Sequence, residues 1–371
     1  MAVHATQPAS RTKNDAKKPS GPDAGGGGRK SGSTPSAASG ISIANLIRRP
    51  EAGALIATIA IYVFFAVFGG VQFTASAGTA TWLNPAAELG IVAIPVGLLM
   101  IAGELDLSVG SVLASSSMTL AIISGHWEQP ILLGVVVALG LGLVTGFLNG
   151  LIVTRSQVPS FVVTLATNFG LAGLALGLTR AITGSTSVSI DPEPWAKSLF
   201  GTTLGDGGFE VAIFWWIGVA VVVGWILHFS KYGNWIFAVG GDLVSARATG
   251  IPTDRVKIAL FMSSAFGAAL VGVIQTILYN SAQVANGQAY VFNSIIAVVI
   301  GGVLLTGGYG SVIGVVFGTL TFAIVGQGIY YTGWNPDWAS LFLGVLLLIA
   351  VLMNNTFRRM ALSYGPRKKK A

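Results

Sequence analysis

Glu104 and Asp106 stand two residues apart in Gly103-Glu104-Leu105-Asp106-Leu107-Ser108-Val109-Gly110-Ser111, between two strongly apolar segments. Acids in such surroundings are costly unless they are paired, solvated or turned toward a cavity. With the flanking glycines and Ser108 they could do two kinds of chemistry. At a break between helices they could face a transport route and hold a polar solute or a coupling ion. Alternatively, Asp106 or Ser108 could cap the following helix by accepting from its free amides. Asn168 adds an amide that could touch a polar solute or bond across helices. Other chemistries are missing. The chain has no GxxxxGK[ST] stretch, so it carries no P-loop for ATP. His4, His126 and His228 match no metal or triad spacing, there is no cysteine, and nothing points to an enzyme.

The second group of candidates is basic. The stretch Lys231 to Ile258 is largely polar, lies between long apolar segments, and carries Lys231, Arg247, Arg255 and Lys257. Within it, Asp242 to Ala248 can form a short amphipathic helix, stopped by Gly250 with Pro252 beyond. Basic residues on an inner loop often only set topology. That accounts for Lys231 and Lys257, but less well for an inserted helical segment. The expectation is a cytoplasmic docking loop, about 231–257, through which a partner drives the protein.

These candidates need a scaffold, and composition says which. Hydrophobic residues make up 53% of the 371, charged residues 9%, and mean hydropathy is +0.73. So few charges could hardly solvate a water-soluble surface, so the chain reads as an all-α polytopic membrane protein. Fifty glycines suit close packing of membrane helices. About ten apolar segments run near 52–69, 86–103, 107–124, 131–153, 160–180, 211–229, 258–279, 291–306, 310–331 and 338–353. The second and third are nearly continuous, as are the eighth and ninth, which predicts broken or re-entrant helices there. Gly142, Gly146 and Gly150, and Gly310, Gly314 and Gly318, recur every fourth residue as packing faces. The GSV at Gly310 faintly echoes Gly110-Ser111-Val112, as an internal repeat would.

The chain divides into a basic tail at 1–44, expected to be disordered, a transmembrane domain at 45–357 and a basic tail at 358–371. Ile41–Arg49 is a candidate interfacial helix. With both termini cytoplasmic, the inner side holds 19 of the 21 Lys and Arg. The outer side holds Arg180, Lys197 and seven acids: Glu88, Glu128, Asp191, Glu193, Asp206, Glu210 and Asp337. Trp82, Trp127, Trp195, Trp334 and Trp338 fall near outer ends, as an aromatic belt.

The segments ELDLSVGS, VPSFVVTLA, AVGGDLVSARATGI with DRVKI, and GGYGSVIG occur in the order found in permease subunits of bacterial ABC importers for monosaccharides. Over about residues 50–355 the chain resembles the ribose, xylose and galactose type. The resemblance implies the ABC importer permease fold and alternating access in the bacterial inner membrane. It implies a homodimer or closely related pair, two cytoplasmic ATPases and a periplasmic sugar-binding protein. ATP and Mg would be bound by the ATPase, and no cofactor by this chain. Asp242, Ser245, Ala246, Arg247 and Gly250 would form the ATPase-coupling segment, with Arg247 facing the ATPase. Glu104, Asp106, Ser108 and Asn168 are the candidates for the translocation path. Leu105, Asp242 and the long basic N-terminal tail depart from the family pattern. The alternative is an ion-coupled secondary transporter using Glu104 and Asp106.

Overall fold

The computed structural model describes residues 50–363, with side chains over 51–352. The expected tail at 1–44, the candidate helix at Ile41–Arg49 and the chain end at 364–371 lie outside these residues. The described chain is helical apart from two small two-stranded sheets. Its order begins with α1 (Pro50–Thr74), α2 (Ser76–Ile101), α3 (Val109–Ala121), α4 (Ile131–Ser156) and α5 (Ser160–Thr183). A segment of short elements follows: β1 (Ser187–Ser189), α6 (Pro194–Phe200), β2 (Thr203–Leu204) and β3 (Phe209–Glu210). Next come α7 (Ala212–Phe229), α8 (Lys231–Gly241), α9 (Leu243–Ala248) and α10 (Thr253–Leu278). The chain closes with β4 (Ser281–Gln283), α11 (Gln288–Ile300), α12 (Val312–Gly328) and α13 (Trp338–Ser363).

Among the described residues, eight helices are long and apolar enough to cross a membrane, and Gln288–Ile300 and Trp338–Leu352 are shorter apolar helices. The ten match the apolar segments read from the sequence. Hydrophobic side chains cover the outward faces of α1, α4 and α7; Val71, Leu132 and Phe214, for example, are exposed. In water such faces would be a liability, whereas in lipid they are the solvated surface. At the centre stands α2, whose second half is buried on every side. Glycine lets α4 approach α10 closely: a Cβ on Gly146 would meet the Phe261 carbonyl at 2.5 Å, and one on Gly150 the Ile258 Cα at 2.7 Å.

Both expected breaks are present, and their backbones match. The first joins α2 to α3: amides of Ala102, Gly103 and Glu104 donate to the carbonyls of Leu98, Met100 and Leu99. The second joins α11 to α12: amides of Gly301, Gly302 and Val303 donate to Ala297, Val299 and Val298. Each turn passes through a left-handed glycine, Gly103 at φ 85° and Gly302 at φ 89°. Each following helix has a serine at its N-cap, Ser108 before Val109 and Ser311 before Val312. The internal echo is therefore real in the backbone but shifted from the GSV match, since Ser111 already lies inside α3. Gly310 likewise lies in the break, and only Gly314 and Gly318 pack from α12 onto the end of α11. Helix α3 runs on through a π-helical turn at Ile122–His126 to 18 residues, whereas α11, at 13 residues, spans about 20 Å, short of the roughly 30 Å hydrocarbon core.

One element differs from the sequence reading. Helix α2 starts at Ser76, ten residues before its apolar run, and includes Pro85 and Pro95. Glu88 and Trp82 therefore belong to a buried helix, at 5% and 9% exposure, and are neither a solvated outer acid nor a belt residue. Beyond the helix ends, β1 pairs antiparallel with β4 and β2 with β3. The Lys197 ammonium donates to the Ile277 and Leu278 carbonyls, at 3.1 and 3.2 Å, and so caps the C-terminus of α10.

Candidate functional site

The first break is held open by a buried polar network. Asp106 and Ser108 are both 0% exposed. Asp106 Oδ1 accepts from the Ser108 amide at 2.9 Å and the Ser108 hydroxyl at 2.6 Å, while Oδ2 accepts from Ser264 on α10 at 2.8 Å. Asn149 on α4 donates to Ser108 Oγ at 3.0 Å, and Thr167 on α5 donates to Asn149 Oδ1 at 2.6 Å. The Leu105 and Leu107 amides donate to Ser160 and Thr164 on α5 at 3.1 and 3.0 Å. Two amides that the break strips from helical pairing, those of Leu105 and Leu107, thus meet hydroxyls on a neighbouring helix. Asn168 stands apart from this set: it is 7% exposed and its Oδ1 is buried without a hydrogen-bond partner.

Glu104 is engaged differently. Its carboxylate pairs with Lys257 on the first turns of α10, both side chains being nearly buried at 12% and 13% exposure. The sequence reading treated Lys257 as a topology signal; 153 residues separate it from its partner. About one turn before Lys257 on α10, Thr253 and Asp254 accept from Arg247 of α9, the hydroxyl at 3.2 Å and the carboxylate at 2.7 Å. A chain of polar contacts therefore runs from α9 through the start of α10 to the first break.

The short helix itself forms as its residues dictate. Asp242 is its N-cap, accepting from the Val244 and Ser245 amides at 3.0 and 3.2 Å and from the Ser245 hydroxyl at 2.8 Å. These bonds, the Ser245 hydroxyl first, hold the Asp242 carboxyl below its usual range. Gly250, at φ 84°, ends the turn. Val244, Ser245, Arg247 and Ala248 are exposed, Val244 by 79%, whereas Ala246 is 4% exposed and seats α9 on its own chain. Val244 is the apolar knob that the sequence reading passed over.

A backbone contact completes the site. The end of α8 at Gly240 lies against both breaks: a Cβ there would collide with the Ile101 carbonyl and meet the Gly308 nitrogen at 2.7 Å. A Cβ on Gly307 would meet Gly103 Cα at 2.9 Å and the Gly240 carbonyl at 3.0 Å. The Gly308 amide donates to the Ile101 carbonyl at 2.8 Å. Break, break and loop meet at one junction built of main chain. Such an arrangement can pass a displacement of the loop to both discontinuous helices at once, and it has no catalytic group.

Comparison with known proteins gives the chain's family. The family described as "Branched-chain amino acid transport system / permease component" matches residues 78–351. A ribose import permease protein of Escherichia coli is 30% identical over 71% of this chain and 81% of its own length. A xylose/arabinose import permease protein of Sulfolobus acidocaldarius is 31% identical over 86% of this chain and 88% of its own. A fructose import permease protein of Rhizobium meliloti is 29% identical over 84% and 87%. The family match takes in both helix breaks, the short helix α9 and all but the first of the membrane-crossing helices, and on that extent the chain belongs to this permease family, as the non-catalytic transmembrane component of an ABC importer.

Proposed function

We propose that the chain is the path-forming subunit of a binding-protein-dependent importer that carries a monosaccharide across the inner membrane by alternating access. The relatives named for ribose, xylose/arabinose and fructose import support a sugar as cargo. The observation that carries the reading is the junction where α8 and α9 join both helix breaks. The exposed face of α9, with Val244, Ser245 and Arg247, docks on a cytoplasmic ATPase that binds ATP and Mg. Nucleotide-driven movement of that ATPase shifts α9, and the Arg247–Asp254 and Glu104–Lys257 pairs and the glycine contacts pass the shift to α3 and α11. Two permease copies, an ATPase pair and an outer sugar-binding protein make up the working assembly, with both termini of this chain cytoplasmic. Asp106 and Ser108 hold the break in register, and the unpaired amide oxygen of Asn168 is a candidate contact along the path.

The test is direct. A tagged copy is solubilised gently from native membranes and its partners are identified by mass spectrometry. A P-loop ATPase in comparable amount is the expected result. Recovery of the chain alone, under conditions that preserve a known importer complex, would overturn the reading.

An ion-driven carrier would need a free carboxylate, and both candidates are engaged: Glu104 by Lys257, and Asp106 by three donors. Asp106→Asn separates the two mechanisms. Asparagine keeps an acceptor for Ser108, and Ser264 can turn from donor to acceptor. At roughly 0.5–1.5 kcal/mol per exchanged hydrogen bond, sugar uptake in cells is expected to stay within about tenfold of wild type. Complete loss, with wild-type uptake collapsing under an uncoupler while ATP is maintained, would instead support ion coupling.

A further inference from the structure

The outer ends of α2, α10 and α11 hold a polar cluster that the break junction does not use. Glu88 Oε2 accepts from Gln275 Nε2 at 2.8 Å and from the Tyr290 hydroxyl at 2.9 Å, and Gln275 Nε2 lies 2.9 Å from that hydroxyl. Glu88 is 5% exposed, and its other oxygen, Oε1, is buried with no hydrogen-bond partner. The β2–β3 hairpin closes over this end of α2. Asn84 donates to the Gly208 carbonyl at 2.9 Å and accepts from the Glu210 amide at 3.0 Å. Glu210 also has a buried oxygen without a partner, Oε2. Burial, and then the charge of Glu88, push the Glu210 carboxyl up to about 7. Burial raises the Tyr279 hydroxyl as well, with further push from Glu88 and Glu210, so these groups lie within electrostatic reach of one another. Tyr279, 56% exposed, forms the open edge of the cluster.

A buried carboxylate oxygen with no donor is a standing cost, and such atoms call for an explanation. The surrounding groups select the ligand class. Two carboxylates disfavour an anion. Among the described residues no three metal-ligating side chains gather, which disfavours a metal ion. Two acids, a carboxamide and two phenols match a neutral polyol, whose hydroxyls donate to carboxylates and accept from amide and phenol groups.

We propose that Glu88, Gln275 and Tyr290 form a sugar-hydroxyl site inside the permease, with Glu210 and Tyr279 at its outer mouth. The site rests on the importer reading and adds to it: the permease itself contacts the sugar after the binding protein releases it. One sugar hydroxyl donates to Glu88 Oε1. In the conformation described here the site is closed over Glu88, so sugar enters when the outer ends of α2 and α11 part.

The experiment is saturation-transfer NMR on the purified permease–ATPase complex in lipid nanodiscs, without binding protein, nucleotide-free and vanadate-trapped. The probes are D-ribose, D-xylose and D-fructose. Wild type is expected to transfer saturation to the ring protons of at least one probe. Glu88→Gln and Gln275→Leu are expected to lower that signal by about tenfold, the scale of one lost charge-assisted hydrogen bond. Tyr290→Phe, which removes a single oxygen, serves as the gentler variant where Glu88→Gln does not elute as a monodisperse complex. No transfer from wild type in either state, or undiminished transfer in the variants, overturns the site. An ATPase that fails to co-elute overturns the importer reading instead, so the two failures are told apart.

Discussion

Reversing Arg247 to glutamate is expected to abolish uptake while leaving the chain in the membrane at its normal level. The guanidinium is the exposed charge of α9, and it also ties α9 to Thr253 and Asp254 at the start of α10. Glutamate at this position loses both bonds and sets a carboxylate beside Asp254. Like charges brought together at an interface cost several kcal/mol, enough for a loss of coupling on the order of a hundredfold or more. Arg247 is exposed, so the surface pair itself contributes little to folding. Labelled-sugar uptake measured beside membrane-protein level separates the two effects. Lysine at 247 should retain part of the activity, since it keeps the charge but loses the planar fork. Wild-type uptake by Arg247→Glu would remove this residue from the interface.

The second large effect is expected at the Glu104–Lys257 pair. Removing one partner leaves the other charge nearly buried and uncompensated, which typically costs 3–5 kcal/mol. Glu104→Gln and Lys257→Met should each lower the thermal stability of the purified complex by about that amount. Replacing both with apolar residues of similar volume removes the unpaired charge and should restore most of the stability. Uptake should not return with it, because the link between α10 and the first break is still missing. A double variant that is both stable and active would show the pair to be structural only. Single variants as stable as wild type would show that the charges are not held together.

What could be read from the sequence followed what is local. Glycine and polar residues interrupting an apolar run announce a helix break, so both breaks were legible, as were the short helix from Asp242 and its stop at Gly250. The start of α2 was not. Ser76 to Glu88 mixes small, polar and proline residues and reads as an outer loop; it is helical because Trp82 and its neighbours pack against α1 and α12. Glu88 was therefore assigned to solvent when it is buried. The partner of Glu104 was equally hidden, since no pattern in the chain ties residue 104 to residue 257. Ala246 shows the same limit on a smaller scale: a six-residue helix has too few positions for its inward face to be read from periodicity.

The glycine junction has a consequence for how such a protein can be rebuilt. Where Gly240, Gly103 and Gly307 meet, the touching surfaces are main chain, and main chain is the same in every protein. A transplanted docking loop needs no complementary side chains there; it needs hydrogen at the glycine positions and the right number of residues between them. Chimaeras that borrow the segment from Lys231 to Gly250 from another permease would thus inherit a ready fit at this contact. The transporter could then be re-addressed to a different motor without redesign of its interior.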